Sequence, residues 1–222
     1  MTSAGLTREL IALRVARELR DGMTVNLGIG LPTLVANFVP DDVTIVLHAE
    51  NGILGYGGIV TDDSQFDQDL INAGGQPVTL NPGACFFDSV TSFAMVRGGH
   101  LDVTVLGGLQ VSAQGDLANW AVAGRKGGGI GGAMDLAAGA RRVIVAMEHT
   151  TRDGEQRILD RCTYPLTAER CVDLIVTNLA VIQVTPDGLL LKEVAPGVSV
   201  VDVRTATGAG LIVPDDVQVM DL

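Results

Sequence analysis

Short runs of valine, isoleucine and leucine, many of them closed by glycine, restrict this chain more than any other feature. Val43–His48, Val103–Leu106, Val143–Met147, Leu174–Thr177, Ala180–Val184 and Leu189–Val194 are nearly continuous in apolar residues, and Met23–Leu27 and Val78–Leu80 read as further strands. A strand with one wet face alternates polar and apolar residues, whereas a strand covered on both faces does not. Helical spacing lies between them. Leu6, Leu10 and Leu13 predict a helix over residues 5–20 that ends at Asp21-Gly22, and Pro32 opens a short helix over Pro32–Phe38. Phe86–Val96 and Ala133–Ala138 are further helical segments, and residues 50–58 and 61–69 read as loops. Strands alternating with helices predict an α/β fold: an open, largely parallel sheet with flanking helices. Such sheets bind ligands at the carboxyl ends of their strands. No linker, low-complexity tract or fixed repeat divides residues 1–222, so one domain is expected.

Composition removes several function classes. Fifteen Lys and Arg stand against 26 Asp and Glu, a net charge of −11, which argues against a nucleic-acid partner. The most apolar stretch, Val172–Leu191, is broken by Asp173, Asn178, Gln183, Pro186 and Asp187. It falls short of the roughly 18 clean apolar residues of a membrane span. The first residues show no basic segment followed by an apolar one, so no secretory signal is expected. Cys85, Cys162 and Cys171 form no C-x-x-C pair, which fits a reducing cytoplasm and argues against disulfides or structural zinc. All three lie in apolar stretches and read as buried, inert thiols. Glycine, at 28 of 222 residues, is well above its ordinary share of roughly 7% and is clustered.

Those clusters mark the candidate chemistry. Gly28-Ile-Gly30 follows a strand, but Thr33 stands where a dinucleotide fingerprint needs its third glycine, so a tight turn is the better reading. His48-Ala-Glu50 matches half of a zinc deaminase signature whose P-C-x-x-C half is missing, which leaves His48 as a strand-end side chain. Glu50 stands just past an apolar strand, in a loop with Gly52, Gly55, Gly57 and Gly58 that lets a ligand or another backbone approach closely. Gly127–Gly132 precedes a helix and offers successive N–H groups to an oxyanion. Arg97, His100, Arg125 and Lys126 are scarce positive positions that suit an anionic ligand.

Taken in order, several segments resemble one family. They are Val25-Asn-Leu-Gly-Ile-Gly-Leu-Pro-Thr33, Glu50-Asn-Gly52, Asp69-Leu-Ile-Asn-Ala-Gly74, Arg97-Gly-Gly-His100, Gly115-Asp-Leu-Ala-Asn-Trp120, Gly131-Gly-Ala-Met-Asp135 and Cys162-Thr-Tyr-Pro-Leu-Thr167. The ordered set, from about residue 6 to 213, is similar to the B subunit of class I 3-oxoacid CoA-transferases. The resemblance implies the open α/β CoA-transferase fold, related to sugar-phosphate isomerases. It implies that Glu50 is the nucleophile, that Asn26 lies near it, and that Gly131 and Gly132 help bind an oxyanion, with Asn51 beside the nucleophile as a positioning residue. Gly28, Gly30, Arg97, Arg125 and Lys126 are the expected coenzyme A contacts. The implied reaction moves coenzyme A from an acyl-CoA, succinyl-CoA foremost, to acetoacetate or 3-oxoadipate through a glutamyl-CoA thioester. It implies an A subunit as partner, carboxylic acid substrates, and no metal or organic cofactor beyond coenzyme A as substrate. An acyl-CoA hydrolase on the same scaffold and a non-catalytic ligand-sensing domain are the alternatives. The chain departs from the family at Ala49 for Ser, Ile130 for Met, Gly58 for Pro, and Gly75 where many members carry Lys.

Overall fold

The computed structural model describes residues 5–62, 66–122 and 129–222. The elements begin with α1 (Arg8–Ala16), β1 (Thr24–Leu27), a 3-10 helix (Pro32–Phe38), β2 (Val46–Ala49), β3 (Ile53–Ile59), β4 (Val78–Phe86) and α2 (Ser89–Arg97). They continue with β5 (Val103–Leu106), β6 (Gln110–Ser112), β7 (Leu117–Ala118), α3 (Ala133–Gly139), β8 (Val143–Met147) and β9 (Ile158–Leu159). The last are β10 (Leu174–Thr177), β11 (Ala180–Thr185), β12 (Gly188–Val194), α4 (Val200–Ala206), β13 (Leu211–Ile212) and β14 (Gln218–Val219).

Among the described residues the main sheet runs β13-β12-β11-β10-β8-β5-β1-β2-β3-β4, with β14 beside β12. Its centre, β10-β8-β5-β1-β2, is parallel. Helix α1 packs on the 3-10 helix, β8 and β10, while α2 packs on α3 and α3 reaches β5. The expected parallel sheet with flanking helices is therefore the heart of the fold. Next to β10 and β2 the pairing turns antiparallel, because only a few residues join β10 to β11, β11 to β12 and β2 to β3, while β13 and β14 return to β12 in parallel. Connections that short return the chain antiparallel; a parallel return needs a crossover. The central strands β5, β8 and β10 are buried at every position, as their unbroken apolar runs require. Ile11, Val15, Ile144, Ile175 and Ile182 are fully buried in one core cluster. Each such side chain contributes about 1.5–3 kcal/mol.

Several boundaries differ from the sequence reading, each for a local reason. The first helix is Arg8–Ala16 rather than 5–20: Thr7 caps its start, and Glu18 and Leu19 donate back only three residues, to Val15 and Ala16. Residues 50–58 are a tight turn running into β3, not a loop, and Gly55, at φ +83, sits at a register shift between Leu54 and Tyr56. Strand β4 extends to Phe86, and α2 starts only at Ser89, where Asp88 caps it by accepting from the Thr91 N–H at 2.7 Å. Spacing alone missed the small sheet β7-β6-β9, the helix α4 and the pair β13 and β14, whose members are too short to show a period. Cys85 is exposed on β4 rather than buried; Cys162 and Cys171 are half-buried, and burial pushes their thiols up to about 11 and about 12.

Gly52 controls the path out of β2. Its φ is +125, and a Cβ there would stand 2.1 Å from the Phe87 carbonyl oxygen. The Gly52 carbonyl accepts from the Phe87 N–H at 3.0 Å, so the two backbones are locked together. His149 controls the opposite side of the sheet. It is fully buried, with Nδ1 2.8 Å from Thr177 Oγ1 and Nε2 2.9 Å from Thr207 Oγ1, which joins the ends of β8 and β10 to the end of α4. Thr207 already donates to the Val203 carbonyl at 2.7 Å, so it accepts from Nε2–H. Burial keeps the ring neutral, so Nδ1 is the acceptor and takes the Thr177 hydroxyl hydrogen at 2.8 Å in preference to the Ala180 carbonyl at 3.2 Å.

Two outcomes follow. Gly52→Ala should cost at least about 2 kcal/mol in urea unfolding, from backbone strain and the Phe87 clash together; a loss below half that would mean the loop relaxes freely. Burial holds His149 down from 6.5 to about 4. The unfolded chain therefore takes up a proton below pH 6.5 that the folded chain refuses. This contribution is complete above about pH 6.5 and is lost as the pH falls towards 4, a span worth about 3 kcal/mol. The stability gap between wild type and His149→Gln should shrink by about that amount from pH 7 to 4, and a gap unchanged with pH would contradict it.

Candidate active site

The parallel ladders set three polar residues side by side. Asn26 of β1 pairs in register with His48 of β2 and with Thr104 of β5. All three are buried, at 1%, 1% and 0% exposure, within a sheet that is otherwise apolar at this level. Polar groups in such a place must find partners among themselves, and among the described residues no buried side-chain nitrogen or oxygen lacks one. The Asn26 amide donates to Glu50 Oε2 at 3.0 Å and to the His48 carbonyl at 3.1 Å, and its Oδ1 accepts from Thr104 Oγ1 at 3.4 Å. Glu50 follows β2 directly, half-buried, with Oε1 free of hydrogen bonds among the described residues. One oxygen is held and the other is available.

Glu50 faces a pocket of about 350 Å³ at the carboxyl ends of β1, β2 and β5. Gly28 and Ile29, Gly107 and Gly108, Trp120, and Gly131 and Gly132 surround it. Glycine at 132 makes room, since a Cβ there would stand 3.3 Å from Glu50 Cγ and 3.0 Å from the Phe93 ring. The charge of Glu50 also acts on its neighbours. Burial pushes the Tyr56 hydroxyl up to about 12, with the Glu50 carboxylate adding to the rise. Burial lowers His48, and Glu50 opposes that fall.

The structure brings together Glu50, Asn26, Gly28, Gly131 and Gly132 from the expected set. Asn51 turns away: its amide donates to the Ile71 carbonyl at 2.7 Å, pinning the turn after the carboxylate. Gly30, at φ +91, shapes the turn before the 3-10 helix and does not line the Glu50 pocket. Arg97 also stands outside it, paired with Asp135 at 2.6 Å and lying over the Phe93 ring. Arg125 and Lys126, with Gly127 and Gly128, lie outside the described residues. A second cavity of about 800 Å³ adjoins the first, sharing Ile29, Gly107 and Gly108. Arg8, Arg152 and Arg157 line it, and none of the three forms an ion pair among the described residues. Sequence reasoning passed over these arginines because Arg8 lies far from Arg152 and Arg157 in the chain. It also passed over Ser92, whose hydroxyl stands 3.0 Å from His48 Nε2. No helix among the described residues is long and apolar enough to cross a membrane.

Comparison with known proteins identifies the family. The family model for coenzyme A transferase matches residues 8–206. The acetate CoA-transferase subunit beta of Escherichia coli is 52% identical over 209 residues, covering 94% of this chain and 95% of that protein. The human mitochondrial succinyl-CoA:3-ketoacid coenzyme A transferase 2 is 49% identical over 215 residues, covering 96% of this chain but 41% of that longer one. The crystal structure of an acyl-CoA transferase apoenzyme from Escherichia coli O157:H7 superposes with a TM-score of 0.79 at 23% identity, over 97% of this chain and 43% of that chain. The open α/β fold and the extended sequence match together place this chain in the coenzyme A transferase family.

Proposed function

We propose that this chain carries the nucleophile of a two-part coenzyme A transferase and that Glu50 is that nucleophile. The observation that carries the reading is the carboxylate at the end of β2, held at one oxygen by buried Asn26 and open at the other to a glycine-lined pocket. A carboxylate can carry a thioester between two acids without giving it to water. Glu50 attacks the acyl-CoA carbonyl; a C–O bond forms, the C–S bond breaks, and the thiolate of coenzyme A leaves. The thiolate attacks the Glu50 carbonyl carbon of the resulting anhydride. A C–S bond forms, the anhydride C–O bond breaks, and the donor acid departs as its carboxylate. The acceptor carboxylate runs the same two steps in reverse. Each attack builds an oxyanion, and in this reading the N–H groups of Gly131 and Gly132, which line the pocket beside Glu50, receive it; a preorganised donor is worth a few kcal/mol. This sequence of steps needs no metal or organic cofactor.

The donor in this reading is succinyl-CoA and the acceptor a small acid of the acetate, acetoacetate or 3-oxoadipate type. The relatives named for acetate and for succinyl-CoA and 3-ketoacids support that range. The phosphates of coenzyme A find their positive charge in the adjoining cavity, at Arg8, Arg152 and Arg157, rather than at the ion-paired Arg97. The second part of the enzyme is a separate A subunit. Its counterpart is the remainder of the longer relatives, of which this chain covers 41% and 43%.

The test is intact mass. With its A subunit and succinyl-CoA, this chain should gain the mass of coenzyme A less one water, the mass of a thioester, on the peptide containing Glu50. Glu50→Gln should abolish the adduct and lower kcat by at least about a thousandfold. Turnover without an adduct at Glu50 would refute the assignment. Mixed with succinyl-CoA and acetoacetate in the absence of an A subunit, the chain should show no transfer above background. Transfer by the isolated chain at the rate of the complex would refute the two-part enzyme.

A further inference from the structure

Asn26 holds Glu50 only if its amide points the right way, and the structure shows what points it. Its two N–H bonds face three acceptors: Glu50 Oε2 at 3.0 Å, the His48 carbonyl at 3.1 Å and His48 Nδ1 at 3.4 Å. One hydrogen is shared between the carbonyl and the ring nitrogen of His48, which leaves the other for Glu50. That arrangement requires Nδ1 to be a bare acceptor, since a proton there would face the amide hydrogens. The ring proton then sits on Nε2, 3.0 Å from the Ser92 hydroxyl, which accepts it. Ser92 is fully buried on α2, and the ring itself stacks on Phe87, with centroids 6.1 Å apart and planes at 15°. Phe87 is the residue whose backbone meets Gly52. Burial keeps His48 neutral, in keeping with this tautomer.

Resting on the reading of Glu50 as nucleophile, we propose that His48, its Nε2–H received by Ser92, is a positioning residue that orients Asn26 towards the carboxylate. It does not touch substrate. It works through the amide: without a bare Nδ1, the second N–H keeps only the His48 carbonyl as partner, and the amide is held less firmly towards Oε2. The carboxylate then samples rotamers in which it does not face the pocket.

The experiment uses the complete complex with its A subunit and follows both turnover and the rate of coenzyme A adduct formation on Glu50. His48→Leu should lower kcat and the adduct rate about tenfold, the scale of one lost buried hydrogen bond, while KM for acyl-CoA stays within about twofold. His48→Asn, whose Oδ1 can take the place of Nδ1, should recover most of that loss. Ser92→Ala leaves the sheet untouched but strands the buried Nε2–H, so the unfolding midpoint should fall; measured well below that midpoint, the adduct rate should be about threefold lower. An unimpaired His48→Leu, or a His48→Asn as slow as His48→Leu, would overturn the proposal. So would rate losses that only track lowered thermal stability. If the wild-type complex forms no adduct on Glu50, it is the nucleophile reading that fails, and the two failures are thereby told apart.

Discussion

The register of β1 between β2 and β5 governs both the sheet and the site. Parallel strands buried on both faces tolerate polar side chains only where neighbours satisfy them. Here the ladder places Asn26, His48 and Thr104 at one level, so their polar atoms answer one another. A slip of a single residue would send these side chains to the opposite face and leave buried donors unpaired. The polar row therefore specifies the register, and the register places the carboxylate two residues beyond His48. Folding and the placement of Glu50 come from one set of contacts.

The glycines divide into those that let the backbone approach closely and those that turn it. Gly52 belongs to the first group, since no larger residue fits against the Phe87 carbonyl. Gly132 keeps space open between Glu50 and Phe93. Gly30 and Gly55, with positive φ, belong to the second. Of the close-approach positions, Gly132 lines the pocket, as does Gly28 beside the Val105 carbonyl, while Gly52 stands outside it and fixes the backbone that carries Glu50.

Much of the centre was legible from residues alone. Unbroken apolar runs announced β5, β8 and β10, and the position of Glu50 after such a run pointed to the site. What stayed hidden depended on contacts between distant segments. Period and propensity cannot show that Arg8 meets Arg152 and Arg157 around one cavity, or that Ser92 on a helix reaches His48 on a strand. His48 read as an ordinary strand-end residue because its meaning lies in its neighbours. The edge strands were misjudged for another reason: Asn81, Pro82 and Gly83 in β4 break every local signal of a strand, yet pairing with β3 carries the chain through them. The scarce positive charges could be counted in advance, but which of them are free only the fold decides. Arg97, Arg141 and Arg142 are each taken by a carboxylate.

Arg14 is also taken, and its partners span the chain. It is buried on α1, with Glu18 at 2.8 Å and Glu193 of β12 at 2.6 Å. Leu6, just before the helix, donates to the Asn178 carbonyl at 2.8 Å. The first helix thus docks against strands made near the end of synthesis, a closure across most of the sequence. Its loop entropy must be met before the contact is gained, which slows folding. During translation α1 can meet the 3-10 helix early, but Arg14 has no Glu193 until β12 has left the ribosome, so a guanidinium destined for burial waits for its second carboxylate through nearly the whole of synthesis.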